Sequence, residues 1–329
     1  MGKSKNGTKP ATAAAPAPKA GAVTPEAVAA AETFAAMGMT PAPAEAPAKA
    51  PTTPAEAAAP AEAGAMTIAC NPEIGGERFL ALQGAVGQVA KIIQMNSGAA
   101  GINFLDLDRV TIPAGGQQAW TIPTIAGPRL AESFAGIIIH HGSVRTYWRE
   151  PFGEGGGPTP PDCTSDDCVW GRGSPAIYDE GVRAAVWDKD KQAYACARCP
   201  NSRFKTSLKG GGGQACKEVN RLFVLLASNR LPYVVPMPPT SLKATRHYLL
   251  NLGGQLGLPF FGVVTRFALV QDSNRAGIKF CRAKLDVAAQ LDDGQLRAIA
   301  ALVAEVSPLI ANVPVTAADY SMTGAEAEA

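Results

Sequence analysis

The sequence predicts a mainly β fold of the α+β class, and three observations support this. Segments rich in β-branched and aromatic residues alternate between apolar and polar positions, as strands do. One helical pattern falls between the third and the fourth of these segments, and a cluster of cysteines falls between the first and the second. This order is that of an OB-fold, a five-stranded Greek-key barrel. We therefore expect an OB-like five-stranded barrel with an inserted cysteine metal module.

The first part of the 329-residue chain is expected to contribute little to this barrel. Residues 1–65 are largely Ala, Pro, Lys and Glu; such a tail buries too little apolar surface to offset chain entropy and is predicted to be disordered. Residues 66–131 are expected to pack on the core. Apolar periodicity there predicts a helix at 77–95 and short strands at 103–110 and 119–123.

Residues 132–290 hold the predicted barrel. Its strands are expected at residues 134–148, 219–227, 231–237, 261–270 and 277–287. A helix is expected from the capping residue Thr240 to Gly253, and a further small strand at 184–187. An amphipathic helix at 291–314 and a flexible tail at 315–329 complete the chain. No apolar run approaches the ~20 residues that span a bilayer, so we expect no membrane partner.

Five of the seven cysteines lie between residues 163 and 216. Cys196 and Cys199 form a Cys-x-x-Cys knuckle, which places two sulfurs on one side of a tight turn. Because the surrounding segment is rich in Gly, Pro and Asp, we expect it to have little apolar core and to be ordered by a metal. The sequence thus predicts a module at residues 158–217 that binds Zn²⁺, ahead of an iron–sulfur cluster, through Cys196, Cys199 and Cys216.

The fourth ligand is open between several residues. Cys163 is favoured because it leads the turn Cys-Thr-Ser-Asp-Asp, whose side chains shape a ligand loop. Cys168 is the alternative fourth ligand, and His140 and His141 are further candidates. Disulfides or unpaired thiols are the other interpretation of the cluster. We see no secretory signal, so we expect a reducing compartment, in which disulfides are rare.

Cations are concentrated in one stretch, although the formal net charge is only +2. Residues 196–271 carry ten Lys and Arg and one acid, Glu218. Such segregation is typical of phosphate binding, with an ordinary solvated surface as the alternative. Phe204 is the favoured base-stacking residue because it lies between two cations in a polar loop. The predicted nucleic-acid contacts are Arg198, Arg203, Phe204, Lys205, Lys209, Lys217, Arg221, Arg246, Tyr147 and Trp148.

Motifs of enzymes are weak in this sequence. Lys209 precedes four glycines, but no Gly-Lys-Ser/Thr follows, so the run is not a P-loop. There is also no G-x-S-x-G nucleophile elbow. Asp162, Asp166 and Asp167 would hold a divalent ion in a nuclease, although acids in such loops more often form turns. We expect a protein that is not an enzyme.

Several motifs between residues 158 and 287 resemble an uncharacterised family of phage and mobile-element proteins. That family is similar to zinc-containing OB-fold single-stranded DNA-binding proteins encoded near replication and recombination genes. The resemblance is carried by Cys163-Thr-Ser-Asp-Asp, Cys196-Ala-Arg-Cys-Pro-Asn, Cys216-Lys, Arg221-Leu-Phe-Val, Pro238-Pro-Thr-Ser and Gly262-Val-Val-Thr-Arg-Phe. The chain departs from the family pattern in the extra Cys168 and in the long spacer 169–195.

The resemblance implies a single-stranded DNA-binding protein that acts in phage or mobile-element replication or recombination, in the bacterial host cytoplasm. The two terminal tails would bind replication or recombination proteins. Two alternatives stay open. One is a metal-dependent nuclease or recombination enzyme subunit that uses the acidic loop, and the other is a virion or scaffold protein with a structural zinc.

Overall fold

The fold is a set of antiparallel strands with three α-helices, seen in a computed structural model that describes residues 70–82, 95, 107–112, 117–149, 161–174, 177–208, 212–273, 277 and 279–310. The predicted tails at 1–65 and 315–329 and most of the predicted helix at 77–95 lie outside these residues. The strands are β1 (Glu73–Ile74), β2 (Glu77–Arg78), β3 (Trp120–Ile122), β4 (Arg129–Ala131), β5 (Ser133–Tyr147), β6 (Cys163–Ser165), β7 (Trp170–Gly173), β8 (Trp187–Asp188), β9 (Ala193–Ala195), β10 (Lys217–Leu225), β11 (Tyr233–Met237), β12 (Val263–Ser273) and β13 (Lys279–Gln290). The helices are α1 (Glu180–Val186), α2 (Pro239–Leu256) and α3 (Asp293–Ile310).

The long strand β5 connects all parts of the main sheet. Its first residues pair with β12, with Gly136 opposite Thr265, and its middle pairs with β10, with Val144 opposite Val219. Its last residues also pair with β6 on the other edge, with Tyr147 opposite Cys163. The sheet order is β11-β10-β5-β6-β7-β9-β8, and β12 and β13 form a hairpin that joins β5. The cysteine-containing strands are therefore a direct extension of the main sheet.

The described strands form an open sheet, and no closed barrel is found among them. Closure would require pairing of β11 with β13, but the segment 107–112 occupies that edge of β11. The Val110 N–H donates to the Val234 carbonyl, and the Val234 N–H donates to Asp108, both at 2.9 Å. The β13 backbone is also engaged elsewhere, because the Ala283 N–H donates to the Ser241 hydroxyl in the first turn of α2. The prediction of a mainly β, α+β fold is confirmed at this coarser level.

Apolar residues are buried on both faces of the sheet. Leu222 and Val224 of β10 face a cluster in which Trp120, Phe134 and Phe267 meet, with ring centroids 4.7 to 6.5 Å apart. The intervening residues Phe223 and Leu225 face a second cluster under α3. Alternate residues of a strand point to opposite faces, so a strand covered on both sides reads as a continuous apolar run.

Most predicted elements within the described residues are confirmed with shifted ends, one is wrong, and the start of another is corrected. The predicted strand at 184–187 is the end of α1, which then continues directly into the short β8. The predicted helix at 77–95 does not start at Glu77. Gly75 and Gly76 have φ of 61° and 82°, which forms a tight hairpin turn, so Glu77 begins β2. No helix in the described ranges is long and apolar enough to cross a membrane.

Candidate metal centre and the adjacent basic loop

Four cysteines from three parts of the chain line one small cavity. Cys163 lies on β6, Cys196 and Cys199 follow β9, and Cys216 immediately precedes β10. All four are buried, and the cavity that they share has a volume of about 10 Å³. This is the space of a single water molecule. The fold thus brings together the four cysteines that the sequence favoured.

Backbone hydrogen bonds hold the cysteine-bearing segments in place. The Cys196 N–H donates to Val169 at 2.9 Å, and the Cys199 N–H donates back to Cys196 at 3.2 Å, which closes the knuckle. The Cys216 N–H donates to the Asn201 carbonyl at 2.7 Å. Together with the pairing of Cys163 with Tyr147, these bonds place all four cysteines in hydrogen-bonded backbone.

Burial keeps these thiols in the protonated form when no cation is present. Burial, with the neighbouring Cys196 and Cys199, raises the pKa of Cys163 to about 12. Burial also raises the pKa of Cys196 and Cys216. The Tyr178 hydroxyl lies 3.0 Å from the Cys199 sulfur, and burial and this hydrogen bond raise its pKa. Thiols of this kind bind a metal as thiolates and release protons when they do so.

The feature of this cavity that suits a metal is the chemical type of its four possible donors, which are all cysteine thiols. Four thiols around one small cavity are the donor types of a structural Cys₄ zinc site. Within the described ranges, no group of three or more His, Cys, Asp or Glu side chains already has the arrangement of a metal site. Binding would therefore have to draw the four sulfurs together.

The alternative ligands are not among the residues that line this cavity. Cys168 has φ of 60° and does not line the cavity. Its pKa is raised to about 12 by burial and by Glu218, while Arg145 opposes the shift. His140 and His141 lie on β5 against Phe223 and Phe260, with ring centroids 5.5 and 5.0 Å apart. Burial lowers the pKa of both histidines. This placement favours Cys163 as the fourth ligand.

Two of the thiols lie close to the backbone of Gly171 on β7, where a side chain would meet them. A Cβ at this position would lie 3.0 Å from the Cys163 sulfur and 3.6 Å from the Cys196 sulfur. We expect Gly171→Ala to lower the free energy of unfolding by about 1–3 kcal/mol, because the added methyl overpacks a closed site. Urea denaturation measures this.

Gly181→Ala is the matched control, since a Cβ there meets nothing within 4 Å. It lies in α1, where alanine is favoured over glycine, and should be neutral or stabilising. Equal effects of the two substitutions would show that the space around Gly171 is not restrictive.

The module has an aromatic core, so the expectation of little apolar surface is wrong. Tyr194 is fully buried, and its ring contacts Tyr178 and Trp187 edge-on, at 4.8 and 4.9 Å between centroids. Tyr147 belongs to the same cluster, and Trp148 packs in a separate small cluster with Val144 and Val219. The structure therefore places Tyr147 and Trp148 in the interior and not on a surface where bases could stack.

The loop that follows the knuckle carries exposed cations around an exposed ring. We call residues 201–208 the basic loop. Arg203 and Lys205 are exposed, and Phe204 between them is 75% exposed. Among the described residues, no other Phe, Tyr or Trp is as exposed as Phe204. Lys209, also predicted as a contact, lies outside the described residues.

The other predicted cations have different environments. Arg198 is exposed in the knuckle, and Lys217 is half-buried at the start of β10. Arg221 is only 4% exposed within β10, so its side chain does not form part of the protein surface. Arg246 is exposed on α2 and forms an ion pair with Glu218. The knuckle and the basic loop thus share the three freely exposed predicted cations Arg198, Arg203 and Lys205.

Two of the three acids in the predicted acidic loop make turn contacts. Asp162 accepts the Arg149 N–H at 2.7 Å. Asp167 accepts the N–H groups of Val169 and Trp170, both at 2.8 Å, and the Ser165 hydroxyl at 3.0 Å. Burial raises the pKa of Asp167, but these hydrogen bonds outweigh it and lower the pKa overall. Both carboxylates therefore shape the backbone around Cys163.

Sequence reasoning missed an ion-pair triad near the four cysteines. Glu218 is buried and binds both Arg145, at 2.6 Å, and Arg246. Burial lowers the pKa of Arg145, but Glu218 and the nearby thiols raise it overall. The signal that could have identified the triad was that Glu218 is the single acid of a long cationic stretch.

Comparisons of this chain with protein-family models, with curated proteins and with solved structures give no match. The resemblance to phage and mobile-element proteins therefore stays a prediction.

Proposed function

We propose that this protein binds single-stranded DNA in phage or mobile-element replication or recombination, in the bacterial cytoplasm, and is not an enzyme. The observation that carries the proposal is the basic loop, where Phe204 is exposed between Arg203 and Lys205. Single strands are held by cations that follow the backbone and by rings on which unpaired bases stack. A large ring held in water between two cations has no role in packing, and it suits this ligand.

The pairing of the strands supports an OB-like origin for the sheet. β5, β10 and β11 form an antiparallel meander, β12 returns to β5, and β13 pairs with β12. The helix α2 lies between β11 and β12 in the chain. The arrangement differs from a full OB barrel in the missing closure. The cysteine-bearing segment lies between β5 and β10 in the chain, and in OB-folds the connection between the first and second strands flanks the nucleic-acid groove.

We assign a structural zinc to Cys163, Cys196, Cys199 and Cys216. The volume of their cavity, about 10 Å³, suits a single ion better than an iron–sulfur cluster. When bound, zinc would crosslink β6, the knuckle and the start of β10, and so fix the base of the basic loop. The zinc would stabilise the fold and would have no catalytic role.

Affinity for single strands should fall steeply with salt, because bound phosphates release counterions. Each neutralised phosphate contributes a log–log slope of about −0.7, so roughly three to four contacts imply a slope of about −2 to −3. Fluorescence anisotropy with single-stranded and duplex oligonucleotides over a salt series measures this. Duplex should bind more weakly, since stacking needs unpaired bases. A preference for duplex would contradict the proposal.

Phe204→Ala should weaken binding to a single strand by about 1–3 kcal/mol and leave the salt slope unchanged, because stacking releases no counterions. Leu250→Ala is the matched control, since Leu250 on α2 is an apolar side chain of nearly equal exposure, 74%. It should bind like the wild type. Equal effects of both substitutions would indicate a general loss of apolar surface and not a stacking site.

A virion or scaffold role with a structural zinc is the second candidate. The burial of Tyr147, Trp148 and Arg221, all predicted as DNA contacts, favours it. This candidate predicts a zinc-containing protein that ignores single strands even at low salt. The salt series therefore separates the two proposals.

A further inference from the structure

The hydroxyl of Thr206 lies at the centre of the hydrogen bonds that shape the basic loop. It donates to the Arg203 carbonyl, with 2.7 Å between the oxygens, and accepts the Ala215 N–H at 3.0 Å. Its contact with the Asn201 carbonyl is longer, at 3.2 Å. Because a hydroxyl has one proton, the shorter bond to Arg203 is the donated one. Arg203 and Thr206 enclose Phe204 and Lys205 in the chain, so a single hydroxyl closes the turn that presents the ring.

The turn around Phe204 contains an unfavourable backbone conformation. Lys205, which follows the ring, has φ of 69°, in the left-handed region that favours glycine. Such a conformation persists where surrounding contacts determine it. The N–H groups of Lys205 and Thr206 donate to the carbonyls of Gly212 and Gly213, both at 3.1 Å. Hydrogen bonds made by its neighbours, and not packing of the ring itself, hold Phe204 outward.

The same bonds connect the loop to the metal centre. Ala215, which donates to the Thr206 hydroxyl, directly precedes Cys216 in the chain. The Ser202 hydroxyl contacts the carbonyls of Cys196 and Cys199 at 2.9 and 2.8 Å. The presentation of Phe204 is therefore fixed relative to the cysteine-bearing backbone.

We infer that Thr206 is a positioning residue that fixes Phe204 in the orientation in which an unpaired base stacks on it. The inference rests on the proposed function and deepens it. A ring already held in one orientation loses less conformational freedom when a base binds. In this role Thr206 need not contact the DNA. It acts on affinity only through the ring of Phe204.

The test is a double-mutant cycle with a fluorescent oligothymidine. Thr206→Val keeps the shape and removes the hydroxyl, and should weaken binding about fivefold to tenfold, within the loss that one stack represents. Thr206→Ser keeps the hydroxyl and should bind within about twofold of the wild type. In a Phe204→Ala background, Thr206→Val should cause no further loss, because the ring through which it acts is gone. The salt slope should be the same in every variant.

The positioning role would be overturned if the losses of affinity from Thr206→Val and Phe204→Ala added in the double variant. It would also be overturned if Thr206→Val bound the oligothymidine like the wild type while Phe204→Ala bound it weakly. Both outcomes leave the proposed function standing. A wild-type protein that does not bind oligothymidine at low salt would remove the proposed function, and the positioning role with it. Thermal melting identifies a Thr206→Val protein that fails to fold. In that case Thr206→Ala, which also lacks the hydroxyl, replaces it in the cycle with the same expected losses.

Discussion

Cys199→Ala should abolish tight zinc binding and partly unfold the module. The substitution removes one of four sulfurs around the shared cavity and also the partner of the Tyr178 hydroxyl. Loss of an outer-shell partner alone costs about 10–100-fold in metal affinity, so loss of a direct ligand should exceed this. Structural zinc contributes roughly 10 kcal/mol or more, although the aromatic core around Tyr194 should keep some structure without it. Metal analysis of the purified protein and competition with a chelator measure the affinity.

The other cysteines supply the controls for this prediction. Cys70→Ala should keep the full zinc content, since Cys70 lies outside the cluster and is partly exposed. Cys163→Ala should lose zinc and Cys168→Ala should keep it, because Cys163 lines the cavity and Cys168 does not. The reverse result would move the fourth ligand to Cys168. Wild-type protein that carries no zinc would contradict the metal assignment altogether.

Glu218→Ala should lower the free energy of unfolding by about 3 kcal/mol, because removal of one member of a buried ion pair leaves the other charge unpaired. The effect falls mainly on Arg145, whose side chain is 17% exposed. Arg246, at 52% exposed, can turn its charge toward water. We therefore place the loss at the lower end of the range for buried pairs. Urea denaturation of the zinc-loaded protein measures it.

Asp286→Ala is the matched control for the triad. Asp286 pairs with Lys284 at 3.0 Å, and both side chains are about half exposed. Exposed pairs of this kind contribute up to about 1 kcal/mol, so the control should change stability little. A Glu218→Ala protein as stable as the Asp286→Ala protein would show that Arg145 finds water or another partner.

Apolar periodicity alone located the strands and helices of the chain after Cys216. Alternation along residues 261–270 and 277–287 corresponds to β12 and β13, and the amphipathic pattern after Asp293 corresponds to α3. These patterns are local consequences of which face is buried, so a sequence carries them directly. The Cys-x-x-Cys spacing likewise brought Cys196 and Cys199 together, because two residues between them suffice for the turn.

Contacts between distant segments could not be derived in this way. The placement of Cys163 in the cavity, and of Cys168 outside it, depends on the pairing of β6 with β5. Arg221 was predicted at the surface because it is a cation, but the covering of β10 on both sides buries it. Glu218 meets Arg145 and Arg246 across separations of 73 and 28 residues.

By itself, then, the sequence determined the α+β class, the position of most elements and the candidate ligand types. These depend on the period of apolar residues and on spacings of a few residues. The tertiary structure decided that the sheet stays open, which cysteines share a cavity, and that Phe204 alone of the predicted rings faces water. Each of these depends on which strand edges pair and which faces are covered, and those are contacts between residues far apart in the chain.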